Sequence, residues 1–372
     1  VPQRFSPGRC ARLIVKIGSA LLVDADGSIR RDWLATVAAD IAAAHAAGQQ
    51  VVIVSSGAIA LGARRLGLSK GGRASLEDAQ AAAAVGQIAL SQAWAELLGS
   101  CGLTAAQILL TLDDLEDRRR YLNAASTLDR LLTLGAVPVI NENDSVATAE
   151  IRFGDNDRLA ARVAQAARAQ GVLLLSDVDG LYTANPHRDA AATRIDEVTH
   201  IDARIRAMAD GGSASGMGSG GMASKVEAAR IAQAAGAHLA IASGQRPHPL
   251  AAFLAGGTGT VFVADPVRGA RKSWLAGRLT ARGTIHVDAG AADALARGAS
   301  LLAAGAVTID GRFTRGDVVE IAGPDGRFAR GLAEYDAADA VRIAGRRSAE
   351  QADILGYAPR SALVHRDHMV LL

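Results

Sequence analysis

Short apolar runs that end abruptly in polar or glycine-bearing clusters recur along this chain, and they restrict its fold more than any other feature. Residues 137–140, Val-Pro-Val-Ile, are of buried-strand type and empty at once into Asn141-Glu142-Asn143-Asp144. Further on, Gly154-Asp155-Asn156-Asp157 repeats the polar pattern and opens a helix at Arg158. A β-branched strand over 13–17 closes on Lys16-Ile17-Gly18-Ser19, and a strand over 51–54 turns through Ser55-Ser56-Gly57 into a helix from Ala58. Helical spacing covers 33–47, stopping at Gly48, and then 76–98, 118–134, 158–169 and 225–235. Further strands fall at 108–110, 172–175 and 239–242. Strands alternating with helices this regularly predict an α/β fold, a three-layer αβα sandwich around a mainly parallel sheet. Right-handed crossovers then bring the strand exits to one rim, where ligands of open α/β sheets bind. The plainer reading of each cluster is a turn, since Asn, Asp and Gly favour turns for backbone reasons of their own.

The pattern breaks near residue 265. Residues 265–280 are rich in Arg, Lys and Gly and hold Trp274, as a linker would. Beyond them come short strands at 301–309 and 318–321, glycine turns and one helix at 291–296, the composition of a small β-rich domain. The expected division is a first domain over 9–264, a linker over 265–280 and a second domain over 281–372.

The charge balance narrows the function classes. Forty basic and thirty-eight acidic residues leave +2 over 372 residues, no signature of a polyanion binder. Residues 281–372 carry 11 Arg against 12 Asp and Glu, which argues against RNA as the second domain's partner. Two cysteines, Cys10 and Cys101, make no disulfide framework. No apolar run approaches the roughly 18 residues of a membrane span, and the first residues lack a signal-peptide core. The expectation is a cytoplasmic protein.

Five loops hold groups that suit chemistry. Lys16, at the end of a buried strand, needs an anion unless it snorkels to solvent. Ser55 and Ser56 stand where a helix N-cap belongs, and a helix start also attracts anions. Residues 211–225, GGSASGMGSGGMASK, read as a flexible linker or as backbone that wraps phosphates, and Lys225 favours the second. Residues 216–221 fit G-x-G-x-x-G, but no strand leads in and no Asp or Glu lies in residues 228–264, so a dinucleotide site is discounted. Ser176-Asp177-Val178-Asp179-Gly180 leaves a strand and suits a nucleotide contact or an ordinary Asp-Gly turn. His365 and His368 have H-x-x-H spacing, yet at the end of the chain solvated rings are expected rather than zinc.

VKIGSALL, VVIVSSGAIALG, VPVINENDSV, FGDND, LLLSDVDGLYTANP and GSGGMASK, in that order, resemble the glutamate 5-kinases of the amino-acid kinase superfamily, which end in a PUA domain. Ser219 and Ser224 stand where many members carry Thr. The resemblance implies the amino-acid kinase fold and phosphorylation of the γ-carboxylate of L-glutamate by ATP with Mg²⁺, the first step towards proline, with proline as inhibitor. It implies that Lys16 and Lys225 touch the ATP phosphates. Ser56, Asp144 and Asn156 would bind glutamate, with Asn141 and Asp155 nearby. Ser176, Asp177, Ser219, Gly220, Gly221, Met222, Ala223 and Ser224 would hold the nucleotide, and a homo-oligomer, dimer or tetramer, is expected.

The inventory agrees with that chemistry. A γ-carboxylate is ionised at neutral pH, its pKa being about 4.3, so it needs no general base. Bringing it onto an anionic phosphate needs charge neutralisation, for which Lys16 and Lys225, with Asp157 between them as organiser, are the candidates. Competing readings are a related kinase acting on acetylglutamate, aspartate, carbamate or a nucleoside monophosphate, and a non-catalytic protein that senses proline or binds RNA. The residues alone leave the Mg²⁺ ligands open.

Overall fold

The structure, a computed structural model, describes residues 2–24, 27–146, 156–186, 188–210, 221–264 and 281–372. The linker expected at 265–280, the glycine loop 211–220, and Gly154 and Asp155 lie outside the described residues. The chain divides into two compact units, Val1–Glu116 with Asn123–Arg268, and Asp117–Leu122 with Gly269–Leu372.

In the first unit the strands are β1 (Arg12–Ile17), β2 (Gln50–Val54), β3 (Ala105–Leu110), β4 (Val137–Glu142), β5 (Gly171–Ser176), β6 (Glu197–Val198), β7 (His238–Ser243) and β8 (Gly259–Phe262). They form one sheet in the order β3-β4-β2-β1-β5-β7-β8-β6. Every pairing is parallel except β7 with β8, so the mainly parallel expectation holds with one exception. That exception follows from the connection, which carries a helix of only 6 residues, Pro249–Leu254, and Gly256-Gly257 before the chain returns. A parallel neighbour needs a full crossover to the other end of the sheet.

The helices of this unit are α1 (Ser19–Leu22), α2 (Arg31–Ala46), α3 (Ala58–Arg65), α4 (Leu76–Ser100), α5 (Leu112–Glu116), α6 (Arg118–Thr133), α7 (Asn156–Ala167), α8 (Ala203–Asp210), α9 (Met222–Ala234) and α10 (Pro249–Leu254). The first five residues of α6, to Leu122, group with the second unit. Strand periodicity decides which helices cover which face. Leu13, Val15 and Ile17 of β1 join a core with Trp33 and Leu34 of α2, Trp94 of α4 and Phe253 of α10. The alternate residues Ile14 and Lys16 face the other way, and β1 also touches α7, which packs on α9.

Two glycines set the closest helix crossing. A Cβ on Gly62 would lie 1.7 Å from the Ala82 carbonyl oxygen, and one on Gly86 would lie 1.8 Å from that of Ala58. Only side-chain-free backbone lets α3 and α4 touch this closely. Ser75 caps α4 by accepting from the Asp78 N–H at 3.1 Å, with Glu77 and Asp78 complementing the dipole.

The second unit has five strands in the order β10-β9-β11-β12-β13: β9 (Gly283–Val287), β10 (Ala306–Gly311), β11 (Val318–Gly323), β12 (Gly326–Leu332) and β13 (Met369–Leu371). The single strand expected at 301–309 is interrupted. Leu301 makes only an isolated bridge with Val364, a 3-10 turn occupies Ala303–Gly305, and β10 starts after it. Leu301 and Ala303 are instead buried in this unit's own core. Besides the expected helix, here Ala289–Ala296, the unit has helices at Ala337–Ile343 and Ser348–Leu355.

Among the described residues no helix is long and apolar enough to cross a membrane. His365 and His368 are not freely solvated. Their ring centroids lie 5.8 Å apart, and His368 Nδ1 sits 3.5 Å from the carboxylate of Glu334.

Candidate functional site

Because β1, β2, β4, β5 and β7 are parallel neighbours, their C-terminal ends open along one rim. There Lys16 leaves β1 on the face covered by α7, and Asp157 is the second residue of α7. Lys225, the fourth residue of α9, reaches the same carboxylate. Lys16 Nζ lies 2.5 Å from Asp157 Oδ1, and Lys225 Nζ donates to Oδ2 at 2.9 Å. All three residues are at most 6% exposed, so Lys16 does not snorkel to solvent. Burial pushes the Asp157 carboxyl up, but the ammoniums of Lys16 and Lys225 outweigh it and hold the group below its ordinary value. Two ammoniums sharing one carboxylate leave this triad with a positive charge, which a buried site tolerates best beside an incoming anion.

The second group of site residues lies towards β2 and β4. Asn156 Nδ2 donates to Ser56 Oγ at 2.9 Å, to the Ser55 carbonyl at 3.1 Å and to Asn141 Oδ1 at 3.2 Å. The expected serine N-cap is absent. Gly57 occupies the N-cap position of α3 with φ of 95°, a conformation glycine adopts without strain. Ser55 Oγ instead accepts from Trp94 Nε1 at 3.0 Å, and Ser56 holds the Asn156 amide.

Asp144 lines a cleft of about 290 Å³ together with Ala58, Gln87, Gln107 and Glu142. Its Oδ1 and the Oδ1 of Asn156 are buried acceptors with no hydrogen-bond partner among the described residues. Burial raises the Asp144 pKa to about 6, against a smaller opposing pull from Arg73. At the exit of β5, Ser176 Oγ donates to Asp177 Oδ1 at 2.9 Å. Gly221, in extended conformation and offering no capping side chain, precedes Met222, Ala223 and Ser224 in the first turn of α9. The first-turn N–H groups of a helix are suited to anions.

The structure thus joins Lys16, Asp157 and Lys225 in one cluster and Ser56, Asn141 and Asn156 in another, with Asp144 in the cleft. Asp155, Ser219 and Gly220 lie outside the described residues. Gln87 and Arg73 were missed. Gln87 accepts from Asn141 Nδ2 at 2.7 Å but sits in an alanine-rich helix with no motif around it. The adjacent Gly86, a helix-weakening residue inside a strong helical pattern, was the available signal of a close approach there. Nothing local marks Arg73, which acts on Asp144 through space.

These features define a phosphotransferase class. The family model described as Amino acid kinase family matches residues 11–243, and that of the PUA domain matches residues 283–355. The solved carbamate kinase from Giardia lamblia bound to AMP-PNP superposes with a TM-score of 0.50 at 15% identity, over 68% of this chain and 99% of that one, and supports the fold. Glutamate 5-kinase of Zymomonas mobilis is 67% identical over 369 residues, 99% of this chain and 93% of the relative. That of Sphingopyxis alaskensis is 69% identical over 99% of both. The chain belongs to the glutamate 5-kinases, members of the amino acid kinase family that carry a PUA domain.

Proposed function

We propose that this protein transfers the γ-phosphoryl group of ATP, presented as its Mg²⁺ complex, to the γ-carboxylate of L-glutamate, giving L-glutamyl 5-phosphate and ADP. This would be the first step of proline biosynthesis, and proline is the proposed feedback inhibitor. The observation that carries the reading is the pair of buried lysines on one carboxylate at the rim. In the proposed reaction a γ-carboxylate oxygen forms a bond to the γ-phosphorus as the bond to the β,γ-bridging oxygen breaks. The electron pair leaves with ADP, and no proton has to move. Lys16 and Lys225 neutralise charge on the transferring group, and Asp157 keeps their ammoniums in place.

Magnesium fits as a companion of ATP rather than as a resident ion. Both Asp157 oxygens are occupied by lysines, and among the described residues no His, Cys, Asp and Glu cluster could hold a metal. Such ions are commonly bound largely through substrate phosphates and water. Ser176, Asp177 and the stretch from Ser219 to Ser224 would hold the nucleotide. Asp144 and Asn156 supply unpaired acceptors for the α-ammonium, with Ser56, Asn141 and Asp155 around them. The proposed domain limits are 9–264 for catalysis, 265–280 for the linker and 281–372 for the PUA domain.

The test is ATP- and Mg²⁺-dependent hydroxamate formation with hydroxylamine, comparing L-glutamate, N-acetyl-L-glutamate and L-aspartate with and without L-proline. Signal with L-glutamate alone, reduced by proline, is expected. Signal with another acid would move the substrate, and none with any would refute the reaction.

A further inference from the structure

An asparagine side chain is donor at one end and acceptor at the other, so its role at a site depends on which way its amide faces. At this rim the Ser55 carbonyl, which can only accept, sets the Asn156 amide, and a relay that begins outside the residues already assigned to substrate sets Asn141 against it. Gln87 Oε1 accepts from Asn141 Nδ2 at 2.7 Å. This turns Asn141 Oδ1 towards Asn156, where it accepts from Asn156 Nδ2 at 3.2 Å. The same Asn156 nitrogen also donates to Ser56 Oγ and the Ser55 carbonyl. With the nitrogen engaged three times, Asn156 presents its oxygen elsewhere, and that oxygen is buried without a partner among the described residues.

A buried acceptor left open is costly unless a ligand completes it. Asp144 Oδ1, on the wall of the cleft that Gln87 also lines, is a second one. An acceptor without a partner suits a group that only donates, which is what an ammonium is. Gln87 itself is held in place by its neighbour, because Gly86 brings α4 into backbone contact with Ala58.

We infer that Gln87 is a positioning residue that holds the Asn141 oxygen against the Asn156 nitrogen, and so keeps Asn156, whose direction the Ser55 carbonyl sets, in place as an acceptor for the substrate's ammonium. This rests on the glutamate reading above. Without the Gln87 acceptor the Asn141 nitrogen loses that partner inside the protein, Asn141 shifts to satisfy it, and its oxygen loosens its hold on the Asn156 nitrogen.

The experiment is steady-state kinetics and thermal melting of the full chain and three variants. Gln87→Leu keeps the volume and removes the acceptor. Its KM for L-glutamate should rise about tenfold, the effect of one lost hydrogen bond, with the KM for ATP within about twofold of the parent and a cooperative melt showing that the variant folds. Gln87→Glu restores an acceptor, and its KM for L-glutamate should return to within about threefold of the parent. Should Gln87→Leu not fold, Gln87→Ala, which suits this alanine-rich helix, takes its place in the same comparison. A parent-like KM in the Leu or Ala variant overturns the assignment, as does equal damage to both substrates or no recovery with Glu. A parent enzyme that turns over no L-glutamate sinks the functional reading and this assignment together, an outcome distinct from the others.

Discussion

The rim has two corners, and they handle buried charge in opposite ways. At the phosphoryl corner Asp157 is held by two lysines and its pKa lies below the ordinary value. At the proposed amine corner Asp144 is also buried, but Oδ1 has no partner among the described residues and burial lifts the pKa to about 6. The first corner is assembled before any ligand arrives, with a positive charge for an anion to meet. The second is left incomplete, and the folded protein bears the desolvation of that carboxylate until a cation completes it. Preorganised positive charge suits a group whose negative charge shifts during reaction, and unpaired acceptors suit recognition.

If this division holds, damage at the two corners should differ in kind. The largest effect is expected from Lys16→Ala or Lys225→Ala, each lowering kcat on the order of 10²–10³-fold with folding retained, as steady-state kinetics would show. A variant keeping most of its kcat would remove that lysine from the mechanism. Asp157→Asn should come next. It leaves two buried ammoniums without their carboxylate and should cost about 3–5 kcal/mol of stability in denaturant titrations. An unchanged midpoint would mean that the pair contributes little.

Asp144→Asn should act on binding, raising the KM for L-glutamate roughly 10- to 100-fold while the KM for ATP stays nearly constant. Equal changes in both would make Asp144 structural. The smallest effect has the opposite sign to Asp157→Asn. The folded-state pKa of Asp144 stands above its ordinary value, so the folded protein holds that proton more tightly than the unfolded chain. The resulting penalty is absent below the ordinary carboxyl range and fully present above about pH 6. Asp144→Asn should therefore be more stable than the parent at neutral pH, on the order of 2 kcal/mol, with the gain vanishing as the pH falls through that window. Thermal melts over pH would decide it, and a loss of stability at neutral pH would show that Asp144 is satisfied in the free protein.

The two corners were also unequally legible in the sequence. Lys16 at a buried strand end and Lys225 at a helix start after a glycine-rich stretch are cations in places that call for an anion, so the residues point to them, whereas the role of Asp157 between them came with the family resemblance. The mainly parallel sheet could be read from the regular alternation of strands and helices, and β4 and β5 are buried along their whole length as such a sheet requires. Gln87 could not be found this way, because its role comes from the crossing of α3 and α4, a long-range packing event. The serine N-cap failed because Gly57 already starts the helix, which freed both serines for tertiary contacts. In the second unit the short strands lack clear alternation, and the helix Ser348–Leu355 shows only Gln351 and Leu355 fully buried, too few for a periodic stripe.

The most direct test is the ratio of kcat/KM for L-glutamate to that for glutarate, which is L-glutamate without its amino group, in the parent and in Asp144→Asn. The parent should prefer L-glutamate strongly, and the substitution should collapse the preference to within about threefold, because the amino group loses its carboxylate partner. A preference that survives Asp144→Asn would contradict the account.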